Sequence, residues 1–171
     1  LQHDSLLAQA RTEVAATGCD TLVCFAYGRM FGPKFLSLFP NEKLNIHPSL
    51  LPSLRGPSPI QGAILNQMKE SGISIQRIAR EMDSGDLLAC EPFVLQGDET
   101  SESFSSFVSL KAADLAVRAL GLVQAGTATF IKQEGEATYT TLITGEMAHL
   151  DFHQSAKELH ARIRALYPWP K

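Results

Sequence analysis

Between Thr21 and Ala26 the chain reads Thr-Leu-Val-Cys-Phe-Ala, with no charge and no turn former. This is strand length, and a continuous apolar strand must be covered on both faces, as in a parallel strand inside an α/β sheet. Helical periodicity over residues 5–17 precedes it, with Leu6, Ala10 and Val14 on one stripe beside Leu7 and a stop at Gly18. After it, Lys43–Ile46 reads as a second short strand. Ser58-Pro59-Ile60-Gln61 opens a helix: Ser58 suits the N-cap, Pro59 the first helical position, and Gln61 can close a capping box. That helix should run to about Glu70 and end near Gly72. Ile73–Ile78 alternates apolar and polar residues as a third strand, and Leu87–Leu95 follows as another. Ser103–Ala125 is a long helix, and Thr127–Lys132 a further short strand. Strands alternating with helices predict an open, mainly parallel α/β sheet.

Beyond Gln133 the character changes. Glu134–Asp151 is polar with two glycines and reads as a connector. Gln154–Leu166 is helical again, opened by Ser155-Ala156-Lys157-Glu158 and carrying Leu159 and Ile163. Total length, 171 residues, suits one ordinary core. With 44% apolar residues, 19% charged residues and a net charge of −3, no basic surface grips nucleic acid as a whole, so any such contact is local. Cys19, Cys24 and Cys90 fit neither a metal spacing nor a disulfide framework, and read as small buried hydrophobes of a reducing cytoplasm. No apolar run approaches the roughly 20 residues of a membrane span. Leu1-Gln2-His3-Asp4 is no signal peptide and carries no initiator methionine, which points to a fragment, a processed product or the ordered part of something longer.

Open α/β sheets place ligands at the carboxyl ends of their strands, which selects the loops after Ala26, Ile46 and Ile78. These carry Tyr27-Gly28-Arg29-Met30, then Asn45-Ile46-His47, then Asp83 in Met82-Asp83-Ser84-Gly85-Asp86. Singly, each has a structural explanation: a turn-forming Asn, a satisfied histidine, a common Asp-Ser-Gly turn. Together they form a kit for acyl transfer to an amine. Asn45 can donate to a carbonyl oxygen that gains charge, an effect worth about 3 kcal/mol. His47, with an ordinary pKa near 6.5, can handle a proton, and Asp83 can orient or polarise it. Asn45 and His47, two apart on a strand, share a face. Ser49 and Ser84 lack the nucleophile-elbow pattern. His149, His153 and His160 lack the companions of a zinc site. Gly28-Arg29-Met30-Phe31-Gly32 lacks the third glycine of a dinucleotide fingerprint.

Asn45-Ile46-His47-Pro48-Ser49-Leu50-Leu51-Pro52, with Arg55-Gly56 and Pro59-Ile60-Gln61 behind it, resembles the signature region of the folate-dependent formyltransferases. Phe25-Ala26-Tyr27-Gly28, Ser71-Gly72-Ile73-Ser74-Ile75 and Met82–Asp86 resemble that family's flanking strands and aspartate loop, in order. Thr138-Tyr139-Thr140, Leu150-Asp151-Phe152 and Pro168-Trp169-Pro170 resemble the linker and first C-terminal helix of the branch whose acceptor is methionyl-initiator tRNA. The resemblance implies a Rossmann-like catalytic domain over residues 1–134 lacking its first strands. It implies that residues 135–171 are the linker and first helix of an absent C-terminal domain. It further implies 10-formyltetrahydrofolate as formyl donor, the amino group of methionyl-initiator tRNA as acceptor, and no metal. Asn45, His47 and Asp83 would be catalytic; Arg29, Met30, Phe31, Gly32, Ser49 and Leu50 would line the folate pocket; Arg55 and Gly56 would lie at the acceptor. The protein would be cytoplasmic, free of membranes, and monomeric at full length. Two other readings stay open: a sugar-nucleotide or other folate-dependent formyltransferase, and an inactive fragment that only binds folate.

Overall fold

The computed structural model describes residues 8–170. In chain order they form α1 (Ala8–Ala16), β1 (Leu22–Phe25), α2 (Pro33–Leu36), β2 (Lys43–His47), α3 (Pro59–Leu65), β3 (Glu70–Arg77) and β4 (Leu87–Val94). Then come α4 (Ser101–Gln124), a single 3-10 turn at Gly145–Ala148, and α5 (Ala156–Ala165). Leu6 and Leu7, expected on the stripe of the first helix, lie outside the described residues.

The strands form one open sheet in the order β1-β2-β3-β4. Its α/β character is as expected, but the mainly parallel pairing is not. Only β1 and β2 run parallel; β2–β3 and β3–β4 are antiparallel. Helix α3 ends at Leu65 rather than near Glu70, and the chain enters β3 from the end at which it left β2. Residues 78–86, between β3 and β4, contain no helix, and without a crossover only an antiparallel return fits.

Alternation along β2 and β3 divides their side chains between two faces. Leu44, Ile46, Ile73 and Ile75 meet Phe104, Val108, Ala112 and Leu115 of α4 in the main core. Asn45 opposite Gln76, and His47 opposite Ser74, make the other face polar. That face is covered too: residues 71–76 are all buried. The cover is the Pro-rich loop after β2, pinned where Ser74 Oγ donates to the Ser49 carbonyl (2.7 Å) and accepts from the Leu51 N–H (3.1 Å). His47, Ser74 and Gln76 can be buried on this face because each finds a hydrogen-bond partner.

Other expectations shift. The strand foreseen at Thr127–Lys132 reduces to one bridge in which Leu87 and Ile131 exchange N–H···O bonds of 2.7 and 2.9 Å. Just beyond it, Gln133 is held by the carbonyls of Asp83 and Gly85, which turns the chain away from β4. Pro59 takes the first position of α3, yet Ser58 makes no cap, because its N–H is drawn to Thr140 Oγ1 (3.1 Å) at φ −132° and ψ 51°. Capping boxes close α4 through Thr100 and Ser103, and α5 through Ser155 and Glu158. Cys19 and Cys90 are exposed and Cys24 half-buried, not core residues: one follows α1 and another faces outward on the edge strand β4. Helix α5 packs on α3 with Ala161 and Ala165 buried, and Ser101 Oγ donates to the Ala165 carbonyl. Among the described residues no helix is long and apolar enough to cross a membrane.

Candidate functional site

Because β3 runs against β2, the loop after β3 leaves the sheet at the end opposite His47, so shared strand ends cannot assemble the predicted trio. The polar face does it instead. The 78–86 loop turns back over that face and brings Asp83 to Asn45 and His47. Asp83 adopts φ +52°, a left-handed conformation that aspartate tolerates better than most residues. Its Oδ1 accepts from Gln76 Nε2 (2.9 Å) and from Asn45 Nδ2 (3.3 Å). Its Oδ2 accepts from the Gly56 N–H (2.8 Å) and faces His47 Nδ1 at 3.6 Å.

His47 is only 4% exposed. Its Nε2 lies 2.9 Å from the Leu54 carbonyl, which can only accept, so Nε2 carries a hydrogen. Burial pushes the imidazole pKa below 6.5, outweighing the opposing pull of the Asp83 carboxylate and the Leu54 carbonyl. At neutral pH the ring is therefore uncharged, with the Nδ1 lone pair toward Asp83. A proton arriving at Nδ1 would create an ion pair with that carboxylate, so the pair is a proton acceptor whose charged form is held in place. Asn45 is half-buried and spends one amide hydrogen on Asp83, leaving the other for a ligand oxygen.

The loop after β1 adjoins this cluster, since Cys24 pairs with Asn45 across the parallel strands. Burial raises the Cys24 thiol pKa; the Tyr27 backbone opposes that rise and the Asp83 charge adds to it. In the same loop Arg29, Met30 and Gly32 are exposed, while Phe31 is half-buried and stacks on Tyr27 (4.3 Å) and Phe35 (5.2 Å). Ser49 and Leu50, also expected to line a folate pocket, face inward. Ser49 is 1% exposed and its Oγ donates to the Ser53 carbonyl, and Leu50 packs over Gly72. Gly56, expected at an acceptor, spends its N–H on Asp83. At φ +106° a Cβ there would lie 2.6 Å from the Thr140 carbonyl oxygen, so the close approach requires glycine.

Several residues of the site had no role assigned to them from the sequence. Gln76 Oε1 accepts from the Gly85 N–H (3.1 Å) while its amide supports Asp83. Gln133 Nε2 donates to the carbonyls of Asp83 (2.8 Å) and Gly85 (2.9 Å), and its Oε1 accepts from Arg55 Nη2 (2.6 Å). Thr138 and Thr140 pin the backbone from Leu54 to Ser58. Gln76 falls on the polar side of the alternation in β3, beside the face that carries Asn45 and His47, which is a usable signal for it. Gln133 carried no signal, and Thr138 and Thr140 lay in the polar connector and entered only through the linker resemblance.

Residues 2–120 match the formyl transferase family, and residues 142–171 match the formyl transferase C-terminal domain. The chain belongs to the formyl transferase family. It is 44% identical over 158 residues to a methionyl-tRNA formyltransferase of Treponema pallidum (strain Nichols), covering 92% of this chain and 50% of that protein. It thus spans about half the length of the curated relatives it matches. A solved methionyl-tRNA formyltransferase from Clostridium thermocellum shares the fold at a TM-score of 0.76 and 21% identity, covering 100% of this chain and 72% of that one. An N-formyltransferase from Helicobacter canadensis, solved with folinic acid and dTDP-3-aminofucose, reaches 0.69 at 23% identity, over 76% and 49% of the two chains. The open mixed sheet is that of this family.

Proposed function

We propose that this chain carries the catalytic centre of an enzyme that moves the formyl group of 10-formyltetrahydrofolate onto the amino group of methionyl-initiator tRNA. The observation that carries the reading is the cluster of Asn45, His47 and Asp83: a free amide hydrogen, a neutral imidazole and a carboxylate held by the Gln76 amide and the Gly56 N–H. Identity of 44% to a methionyl-tRNA formyltransferase supports tRNA as the acceptor. Residues 1–134 act as the catalytic unit, and residues 135–171 lead toward a C-terminal unit.

The donor set suits a formyl group. On a reduced-folate nitrogen that group is an activated acyl donor, and direct attack by an amine needs two services from the protein. Asn45 Nδ2 donates to the oxygen that gains negative charge. The Asp83–His47 pair accepts the proton lost by the amine, directly at the carboxylate or through a water, with Nδ1 of the neutral ring as its reservoir. It returns that proton to the folate nitrogen as the bond from that nitrogen to the formyl carbon breaks and tetrahydrofolate leaves. Beside them the exposed Met30 and the half-buried Phe31 offer apolar surface to a flat ring system. Arg55 lies toward the acceptor on the same loop as Gly56.

The test is transfer of labelled formyl from 10-formyltetrahydrofolate to methionyl-initiator tRNA, using the longest chain that contains these residues, with an amino-sugar nucleotide as the competing acceptor. Labelled tRNA, with kcat reduced about 10²–10³-fold by Asn45→Ala, is expected. A labelled sugar and unlabelled tRNA would move the assignment to the sugar-nucleotide branch. Folate binding without transfer to either would leave only a binding fragment.

A further inference from the structure

Gln133 lies in residues 121–141, which neither family match covers. Its side chain nevertheless joins the two halves of the site. The amide nitrogen sits 2.8 Å from the Asp83 carbonyl, 2.9 Å from that of Gly85 and 3.3 Å from Gln76 Oε1. The amide oxygen receives Arg55 Nε at 3.2 Å and Nη2 at 2.6 Å. Both hydrogens and both lone pairs are engaged, a pattern that only a primary amide satisfies. On one side it fixes a turn whose Asp83 sits at φ +52°; on the other it fixes the guanidinium of the loop residue placed toward the acceptor.

We propose that Gln133 is a positioning residue that sets the Asp83 carboxylate and the Arg55 guanidinium as one unit, so that proton acceptor and acceptor-side cation keep a constant spacing. This rests on the roles given to Asp83 and Arg55 above. The main chain of the Arg55 loop does not depend on Gln133. The Arg55 N–H donates to the Thr138 carbonyl (2.9 Å), the Thr140 N–H to the Arg55 carbonyl (2.7 Å), and the Leu54 N–H to Thr138 Oγ1 (2.8 Å). Removing the glutamine side chain therefore leaves the Asp83 and Gly85 carbonyls without its amide and leaves the Arg55 guanidinium its longer bond to the Tyr139 hydroxyl (3.4 Å), while the loop stays in place.

Two substitutions separate the arms. Gln133→Glu still accepts from Arg55 but sets an oxygen against the carbonyls of Asp83 and Gly85; Gln133→Leu loses both arms. In the formyl-transfer assay both should lower kcat about 10–100-fold, the scale on which a misplacement of about 1 Å acts. KM for the acceptor should rise with Gln133→Leu and stay near that of the parent with Gln133→Glu. The loss in the double variant with Arg55→Met should be smaller than the product of the single losses. A kcat within twofold of the parent in both variants, or losses that multiply, overturns the proposal. A readout independent of activity is the amide NMR spectrum. Arg55→Met should shift the Asp83 and Gly85 N–H signals when Gln133 is present and leave them unmoved in the Gln133→Leu background. Equal shifts in both backgrounds refute the link. A parent chain that formylates no acceptor sinks the functional reading alone, and the spectra still decide the role of Gln133.

Discussion

Replacing Gln76 isolates what the buried polar face contributes. The side chain is 1% exposed, supports Asp83 Oδ1 at 2.9 Å and satisfies the Gly85 N–H at 3.1 Å. Gln76→Leu removes a hydrogen bond to a charged acceptor, about 1.5–3 kcal/mol, and leaves the Gly85 N–H without its partner, about 1–3 kcal/mol. The leucine regains about 1.5–3 kcal/mol by burying apolar surface. The net loss should be about 2 kcal/mol, which in a chain of this size lowers Tm by roughly 4–8 °C. Gln76→Glu should behave differently. Two carboxylates then face each other, and one of them has its folded pKa raised above its unfolded value. The deficit is small below about pH 4, where that group is protonated in both states, and grows as pH rises through the folded value. Urea unfolding of parent, Leu and Glu variants between pH 4.5 and 8 measures both effects as differences from the parent. A Leu variant as stable as the parent, or a Glu deficit flat with pH, would refute the account of Gln76 as the support of an ionised Asp83.

The pKa of His47 is lowered in the folded state, so its effect on stability has the opposite sense to that of a paired histidine. Its share of stability is complete above about 6.5; as pH falls below that value the unfolded chain binds a proton that the folded chain resists, and stability is lost until the folded pKa is passed. His47→Gln should flatten the urea midpoint between pH 7.5 and 5.5, and an unchanged slope would show that other groups set it. Gly56→Ala meets both the Thr140 carbonyl, at 2.6 Å, and a φ of +106°. It should cost about 1–3 kcal/mol in thermal unfolding and lower kcat in formyl transfer, since the N–H that holds Asp83 Oδ2 moves with it.

Local pattern was enough for most element types, the strand expected at Thr127–Lys132 excepted. Pro59 at the head of α3 and the Ser155-x-x-Glu158 box depend on neighbours close in sequence, and each formed. The apolar run of β1 also formed a strand, but at the sheet edge, where Val23 and Phe25 are exposed rather than covered on both faces as expected. Asn45 and His47 share a face because strand alternation is a local property. Strand direction is another matter. It depends on the end at which each connection re-enters the sheet, and re-entry beside His47 after α3, with the helix-free 78–86 loop, makes an expected mainly parallel sheet a mixed one. Asp83 therefore reaches His47 over the polar face and not at a common strand end. Its environment comes from Gln76, Gly56 and Gln133, which lie 7, 27 and 50 residues away along the chain. Hydrogen bonds across such separations leave no periodic trace in a sequence. They exist only once the sheet register, the Pro-rich loop and the returning 133–140 segment have been brought together.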